Sequence, residues 1–561
     1  MMGAPRQFSL VMPSINLVFS IMIKYINFFF IFTMTINAFN NSPNMILFTN
    51  CHVYGKPYIK AILCSRGKIV ELLPNDKDVS GQRVDLKGGW VYPGFTDAHM
   101  HLTGMGWALE SVDMVGTSTK EEVLEKAQEA VRQVPKGTWI RGRGWDQNDW
   151  PEIQYPSAKD LDAVSEIHPM IFRRIDGHAA WANSLAMKIA GISKDTKDVD
   201  GGIILRDDAG NPTGIFIDNA LDLIEVKIPP STKDDIQRQI KNAQKLLNKL
   251  GLTSIHDAGT SKEEIAVMKE MISSGDLSLR IFTMLHNNPD DYEPFLETGP
   301  ETENPFIKVR SVKIYMDGAL GSRGAALLEP YSDALDQDGL LIIQPEEHER
   351  LVKKFNDAGF QSNTHGIGDR AVKTILNTYE KVANRSLRNR VEHAQIVHHD
   401  DLSRFKKLGV IPTMQAAHCT SDMYWVNERL GENRLHEAYP WQSFIQMGVP
   451  IPGGSDAPVE YPDPLEGIYA AITRQDKKGW PEGGWQPREK MTLDQAIKSY
   501  SEWAAYASFE ETVKGKIEPT FYADFTVLNQ ELTENNPMDI LESQIMFTIV
   551  GGKIVFQKND R

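Results

Sequence analysis

His99 and His101 stand one residue apart in the stretch Tyr92-Pro-Gly-Phe-Thr-Asp-Ala-His-Met-His. The apolar run from Tyr92 to Thr96 reads as a short strand with Pro93 near its start. Strand side chains alternate, so both imidazoles point the same way. Two imidazoles on one wall can hold a transition metal, although two polar residues at a strand end look the same. Four more residues change the weight of that pair: Lys313 in Val312-Lys-Ile-Tyr, His365 in Thr364-His-Gly-Ile-Gly-Asp, His393 in Val391-Glu-His-Ala, and Asp456 in Gly453-Gly-Ser-Asp. Singly, His365 could be a turn residue, His393 a partner of Glu392, and Asp456 a helix N-cap. Lys313 in mid-strand is harder to explain so, because a buried ammonium is costly unless neutralised or paired. Its neutral amine can take up CO2 and become a carbamate, an anion able to bridge two metals. Four imidazoles, a lysine and a carboxylate suit two divalent metal ions, zinc first among them.

Such residues must be brought together from distant parts of the chain. Apolar strand endings recur at Thr253-Ser-Ile-His-Asp, Leu279 to His286, Ser311 to Asp317, Phe360 to His365, Arg390 to Ala394, Ile411 to Gln415 and Val449 to Asp456. With the first strand they make eight, the number that closes a (β/α)8 barrel, whose active site lies at the C-terminal strand ends. Helical patterns lie between them. One runs from Thr119 to Arg132, opened by Ser118-Thr119 with Glu122 as capping-box partner. Another runs from Ser231 to Leu250 and stops at Gly251. From Gly137 to Asn219 the rhythm breaks. Arg141, Arg143 and Trp145 share one strand face, and Gly201 to Asp218 reads as a hairpin turning at Asp207-Asp-Ala-Gly-Asn-Pro. The span is expected to be an inserted subdomain over the barrel mouth, with His178, Trp145 and Trp181 facing a substrate pocket.

Short alternating strands at Met45 to Leu73 return near Ala523 to Phe556, and neither set has enough core alone. They are expected to form one β-sandwich. The domain reading is a leader at 1–44, a sandwich from 45–91 with 515–561, and the barrel at 92–514. In the leader, Lys24 precedes an apolar run from Tyr25 to Phe39. That run is short for a membrane span and suits a signal-peptide core. The leader reads equally as an export signal or as a start placed upstream of Met45. The compartment is cytoplasmic or exported accordingly, with no stable span in the mature chain.

The net charge of -15 and a pI near 5.5 argue against nucleic acid as a partner. Three cysteines, Cys51, Cys64 and Cys419, cannot make a fully paired framework or a CxxC zinc site. Cys51 and Cys64 read as separate buried thiols rather than a bridge across a hairpin.

Several stretches together resemble the amidohydrolase superfamily, in its YtcJ-like branch (amidohydrolase family 3, similar to N-substituted formamide deformylases). They are Tyr92 to His101, Asp176-Gly-His-Ala-Ala-Trp-Ala-Asn-Ser, Val312 to Arg323, His365-Gly-Ile-Gly-Asp, Arg390-Val-Glu-His-Ala-Gln, His418-Cys-Thr-Ser-Asp-Met and Gly454-Ser-Asp-Ala-Pro-Val-Glu. The resemblance implies a distorted barrel with a β-sandwich built from both termini. It also implies that His99, His101 and Asp456 bind one metal and that His365 and His393 bind the second, with carboxylated Lys313 as the bridge. The expected activity is hydrolysis of a non-peptide C–N bond in a small-molecule amide by a metal-activated hydroxide. Asp456 would carry the proton to the leaving amine. His178 and Arg323 are the candidate oxyanion donors. A lactone, ester or dipeptide would suit the same site, and a metal-free regulatory or binding protein is the reading from another class. A homo-oligomer is compatible with all of these.

Overall fold

The barrel strands are built from runs that are apolar on both faces, as buried parallel strands must be. In the computed structural model, which describes residues 45–76, 79, 81–174, 179–199 and 202–559, seven of them form one parallel sheet. In spatial order they are Ile411–Thr413, Arg390–His393, Gln361–Gly366, Ile307–Tyr315, Arg280–Leu285, Leu252–Thr260 and Phe95–Met100. The two edges are joined by residues 452–456. Met414 N donates to the Pro452 carbonyl (3.1 Å), Gly454 N to Met414 O (3.2 Å), Ala98 N to Gly453 O (2.9 Å) and Asp456 N to His99 O (2.7 Å). The eighth position is therefore filled by an irregular segment. Pro450 and Pro452 have no N–H to give a ladder, so a regular strand cannot form there. The result is a TIM-like α/β fold with helices such as Lys233–Lys249, Lys262–Ser274, Pro345–Asp357 and Asp369–Val382 between the strands.

The first helix after the first barrel strand is Leu102–Glu110, not the later pattern near Thr119. Gly104 and Gly106 weaken its helical signal. Gly106 is needed nonetheless, because a Cβ there would collide with the Gln239 carbonyl of the helix packed against it. The helix Lys120–Gln133 belongs instead to the inserted layer, where Val123 and Ala127 join the core of a six-stranded sheet. That sheet runs Gly202–Arg206, Pro212–Asp218, Ala179–Ala182, Met170–Arg174, Ile140–Trp145 and Val112–Asp113. Because Val112–Asp113 pairs in parallel with Gly142 and Arg143, the insertion starts near Val112, well before Gly137.

The two chain ends contribute to a single seven-stranded sheet with Gln82–Pro93 at its centre, between Met45–Val53 (parallel) and Phe525–Leu528 (antiparallel). Gln82–Pro93 runs on through Gly94 into the first barrel strand, and a Cβ on Gly94 would strike the Thr253 side chain. Cys51 and Cys64 are buried free thiols. Among the described residues no helix is long and apolar enough to cross a membrane; residues 1–44 lie outside the described residues.

A buried ion pair locks the end sheet to the barrel. Arg280 donates from Nε to Asp524 Oδ2 (2.6 Å), from Nη2 to Asp524 Oδ1 (2.9 Å) and from Nη1 to the Pro305 carbonyl (2.8 Å). Removing one partner of such a pair strands a charge, which costs about 3–5 kcal/mol. Arg280→Leu should accordingly lower the urea unfolding midpoint sharply, and adding Asp524→Leu should recover much of the loss. A midpoint unchanged by Arg280→Leu would show that docking does not rest on this pair.

Candidate metal centre

The site grows from the first barrel strand. His99 is fully buried, and its Nδ1 bonds Glu392 Oε2. Glu392 is held in turn by Arg390, whose Nη2 lies 2.9 Å from Oε2 and whose Nε lies 2.7 Å from Oε1. A carboxylate on Nδ1 fixes the proton there and leaves Nε2 as a lone pair facing inward. Lys313 Nζ lies 2.9 Å from that Nε2. His393 is oriented the same way, with Nδ1 2.9 Å from the Gln415 side-chain oxygen. Its ring lies 4.8 Å from that of His99 and 4.5 Å from that of His365. Nε2 of His365 is buried without a hydrogen-bond partner, 3.6 Å from Asp317 Oδ1.

Asp456 closes the group. Its Oδ1 lies 3.2 Å from His101 Nε2 and 3.5 Å from His99 Nε2. Ligand-type atoms of His99, His393 and Asp456 all lie within 4.8 Å of one another. The loop that carries Asp456 is seated on the first strand by Asp97, which accepts from His99 N and Ser455 N (both 3.1 Å) and from Ser455 Oγ (2.5 Å). Gly454 permits this approach, since a Cβ there would come within 2.6 Å of His99 N. Both Asp456 (φ 58°) and His393 (φ 72°) adopt the left-handed region, uncommon outside glycine and typical of residues whose direction matters.

Burial sets the charge states. It lowers the Lys313 ammonium to about 8, against the pull of Glu392 and Asp456. Burial and the Lys313 charge hold His365 down to about 3, and burial first of all holds His99 and His393 well below their usual range. For Asp456 burial alone would raise the carboxyl, but the bond to His101 and the neighbouring imidazoles hold it well below the usual range. Neutral imidazoles with inward lone pairs, an anionic carboxylate and an amine near neutrality form a donor set that fits a divalent metal.

All six expected ligands are thus linked in one chain of contacts. Of the other expected site residues, Trp145, Trp181 and Arg323 are not part of it. Trp145 is fully buried in the core of the inserted sheet and donates from Nε1 to the Phe172 carbonyl (2.7 Å). A bulge at Gly144 (φ 111°) shifts the register between Arg143 and Trp145 and turns the indole off the arginine face. Trp181 is buried in the same core, bonded to Ser157 O (2.8 Å). Neither lines an open pocket. Arg323 spends its guanidinium on Asp333 (3.2 and 2.9 Å) at a partly exposed surface, so it is not an oxyanion donor here. His178 lies outside the described residues. A cavity of about 700 Å³ runs between the inserted sheet and the helix after His101, lined by Trp107, Arg141, Arg143, Arg173 and Glu225 among others, and by none of the six.

Sequence reasoning singled out the stretch that begins at His418 but gave that residue no role. Its Nε2 is buried without a partner, 3.9 Å from Asp456 Oδ2. It sits on the helix Ala416–Asp422 rather than at a strand end, and its signal was the polar triplet Gln415, His418 and Asp422 following an apolar strand.

Comparison with known proteins agrees with this architecture. The amidohydrolase family (Amidohydro_3) matches residues 82–556. Putative amidohydrolase YtcJ of Bacillus subtilis (strain 168) is 33% identical over 484 residues, 85% of this chain and 91% of that protein. N-substituted formamide deformylase of Arthrobacter pascens is 27% identical over 528 residues, 89% of this chain and 95% of that protein. The crystal structure of an uncharacterized metal-dependent hydrolase from Pyrococcus horikoshii OT3 superposes with a TM-score of 0.74 at 28% identity, covering 88% of this chain and 98% of that one.

Two outcomes check the electrostatics. Glu392→Gln keeps an acceptor oxygen but removes the carboxylate charge that orients His99, and loss of such a partner weakens metal binding about 10–100-fold; chelator competition with zinc should show a drop of that order. The Lys313 amine becomes neutral as pH rises through about 8, and only the neutral amine takes up CO2. Protein supplied with zinc and carbon-13-labelled bicarbonate should therefore show a carbamate resonance that grows as pH rises and is missing in Lys313→Ala. A signal that persists in Lys313→Ala would assign it to another lysine.

Proposed function

The chain belongs to the amidohydrolase family, and on that premise we propose that it hydrolyses a non-peptide C–N bond of a small-molecule amide. The observation that carries the reading is Lys313, a fully buried lysine whose Nζ is aimed at His99 Nε2 inside a cluster of imidazoles. His99, His101 and Asp456 would hold one divalent ion, His365 and His393 a second, and Lys313, once carboxylated, would bridge them; zinc suits this N and O set. Such ions supply acidification of water toward neutral pH and polarisation of a carbonyl.

The rest of the chemistry falls to the chain's own residues. Asp456 is anionic and close to both first-strand histidines. It takes the proton of the attacking water and delivers it to the amine, which must leave protonated. His418 replaces Arg323, and joins His178, as a proposed donor to the carbonyl oxygen. The Gln395 side-chain amide lies 3.3 Å from His418 Nδ1. With Gln395 Nε2–H donating to that nitrogen, the proton of His418 sits on Nε2, the atom facing Asp456 without another partner. The 27% identical relative named N-substituted formamide deformylase supports N-formyl and N-acyl amines as the first substrates to test.

Asp456→Asn should keep the fold and lose about 10²–10⁴ in turnover, the usual contribution of a positioned proton carrier. Circular dichroism and steady-state assays of the zinc-loaded protein on N-acyl amines, lactones and dipeptides would read it. Full activity in Asp456→Asn removes the proton role, and turnover of lactones alone replaces the proposed bond. Lys313→Ala should lose activity that a short-chain carboxylic acid partly restores.

A further inference from the structure

Away from this centre, three imidazoles converge on one buried carboxylate. His399 Nδ1 lies 3.2 Å from Glu437 Oε1, His398 Nε2 lies 3.8 Å from the same oxygen, and His436 Nε2 lies 3.9 Å from it. Ligand-type atoms of His399, His436 and Glu437 all fall within 4.8 Å of one another. We propose that these residues form a second, outer metal site that takes a divalent transition ion such as Zn2+.

Donor spacing is the first argument. Four donors about 2.0–2.1 Å from a tetrahedral ion stand about 3.3–3.4 Å apart. The 3.2 Å pair already matches, and the 3.9 Å pair needs only a small rotation of the exposed His436 ring; His398 is half-buried and its Nδ1 accepts from Asp400 N (3.4 Å), so it flanks the site. Chemistry is the second. Imidazole nitrogen with one carboxylate oxygen is a zinc-type donor set, and the exposure of His399 and His436 leaves room for water as a further ligand. The third argument is the frame. Val397 N donates to Glu437 O (3.0 Å), a backbone bridge joins Ile396 to Ala438, and Tyr439 N donates to Gln395 O (2.7 Å). The two segments that carry the ligands are therefore fixed side by side before any ion arrives, which lowers the ordering cost of binding.

Glu437 has another use, since His399 N also donates to its Oε1 (3.3 Å) at the start of the helix His399–Leu408. That bond accounts for the carboxylate but not for three imidazoles around it. An ion here would clamp the chain leaving the His393 strand to the segment entering Tyr439. Gln395, on the first of these segments, is the residue that contacts His418.

The test uses the untagged full chain with its inner centre already loaded with zinc. Isothermal titration with further Zn2+ should show one additional event near one equivalent. The double variant His399→Ala/His436→Ala should lose that event, and Glu437→Gln should weaken it at least ~10-fold. Both exposed histidines can be removed without opening the core, and unchanged circular dichroism confirms it. His99→Ala, which damages the inner centre, should keep the outer event, so the two sites fail separately. An additional event of equal size and affinity in the double variant, or zinc binding only at millimolar concentration, overturns the outer site.

Discussion

The fold depends on a charge that has nowhere else to go. Arg390 is fully buried inside the barrel, and a guanidinium there must be fully engaged or it destabilises everything around it. It meets Glu392 on its own strand, the Ala98 carbonyl (2.8 Å) and His256 Nδ1 (3.1 Å) across the barrel, and Thr413 Oγ1 (3.0 Å) on the next strand. One side chain thus ties four barrel strands. Its partner Glu392 then orients His99, so the residue that stabilises the closure also aims the first ligand. Deleting either member would leave the other buried and unpaired, which makes the network conformationally decisive whatever its net worth.

Around this anchor the polypeptide departs from regular geometry where the chemistry is. The eighth barrel position is an irregular segment because prolines deny it a ladder, and that freedom lets the chain turn Asp456 inward with a left-handed backbone. His393 does the same at the end of a regular strand. Asp97 ties the neighbouring loop to the first strand by accepting from Ser455 and His99. Its carboxyl is pushed up to about 7 by burial, offset by those same bonds. The site is a set of local irregularities held by a rigid frame, the arrangement expected where function overrides local preference.

Much of this was legible in the residues themselves. Strands apolar on both faces announce a parallel sheet, and histidines, a lysine and an aspartate at their ends announce a shared face. What could not be read came from two physical sources. One is local: Gly104 and Gly106 hid the helix Leu102–Glu110, and the bulge at Gly144 sent Trp145 to the opposite face from the one strand alternation predicts. The other is distance along the chain. His99 and Glu392 are 293 residues apart, and no local pattern states that a carboxylate on one strand will hold an imidazole on another. The one available clue was that Arg390 and Glu392 sit charged in a strand otherwise fit for burial. His418 went without a role because its helix begins where strand reasoning stops.

The same charge logic constrains how the proposed centre is assembled. In the metal-free cluster Arg390 balances Glu392, and Lys313 in its ammonium form balances Asp456. Carboxylation of Lys313 replaces a cation by an anion in a fully buried place, a change of two charges that low-dielectric surroundings strongly oppose. Entry of divalent ions alone is opposed as well, because the ammonium beside His99 Nε2 repels them and occupies a lone pair they need. Each event removes the obstacle to the other. Lysine carboxylation and metal uptake in this chain should therefore be thermodynamically linked, each raising the affinity for the other by the same factor.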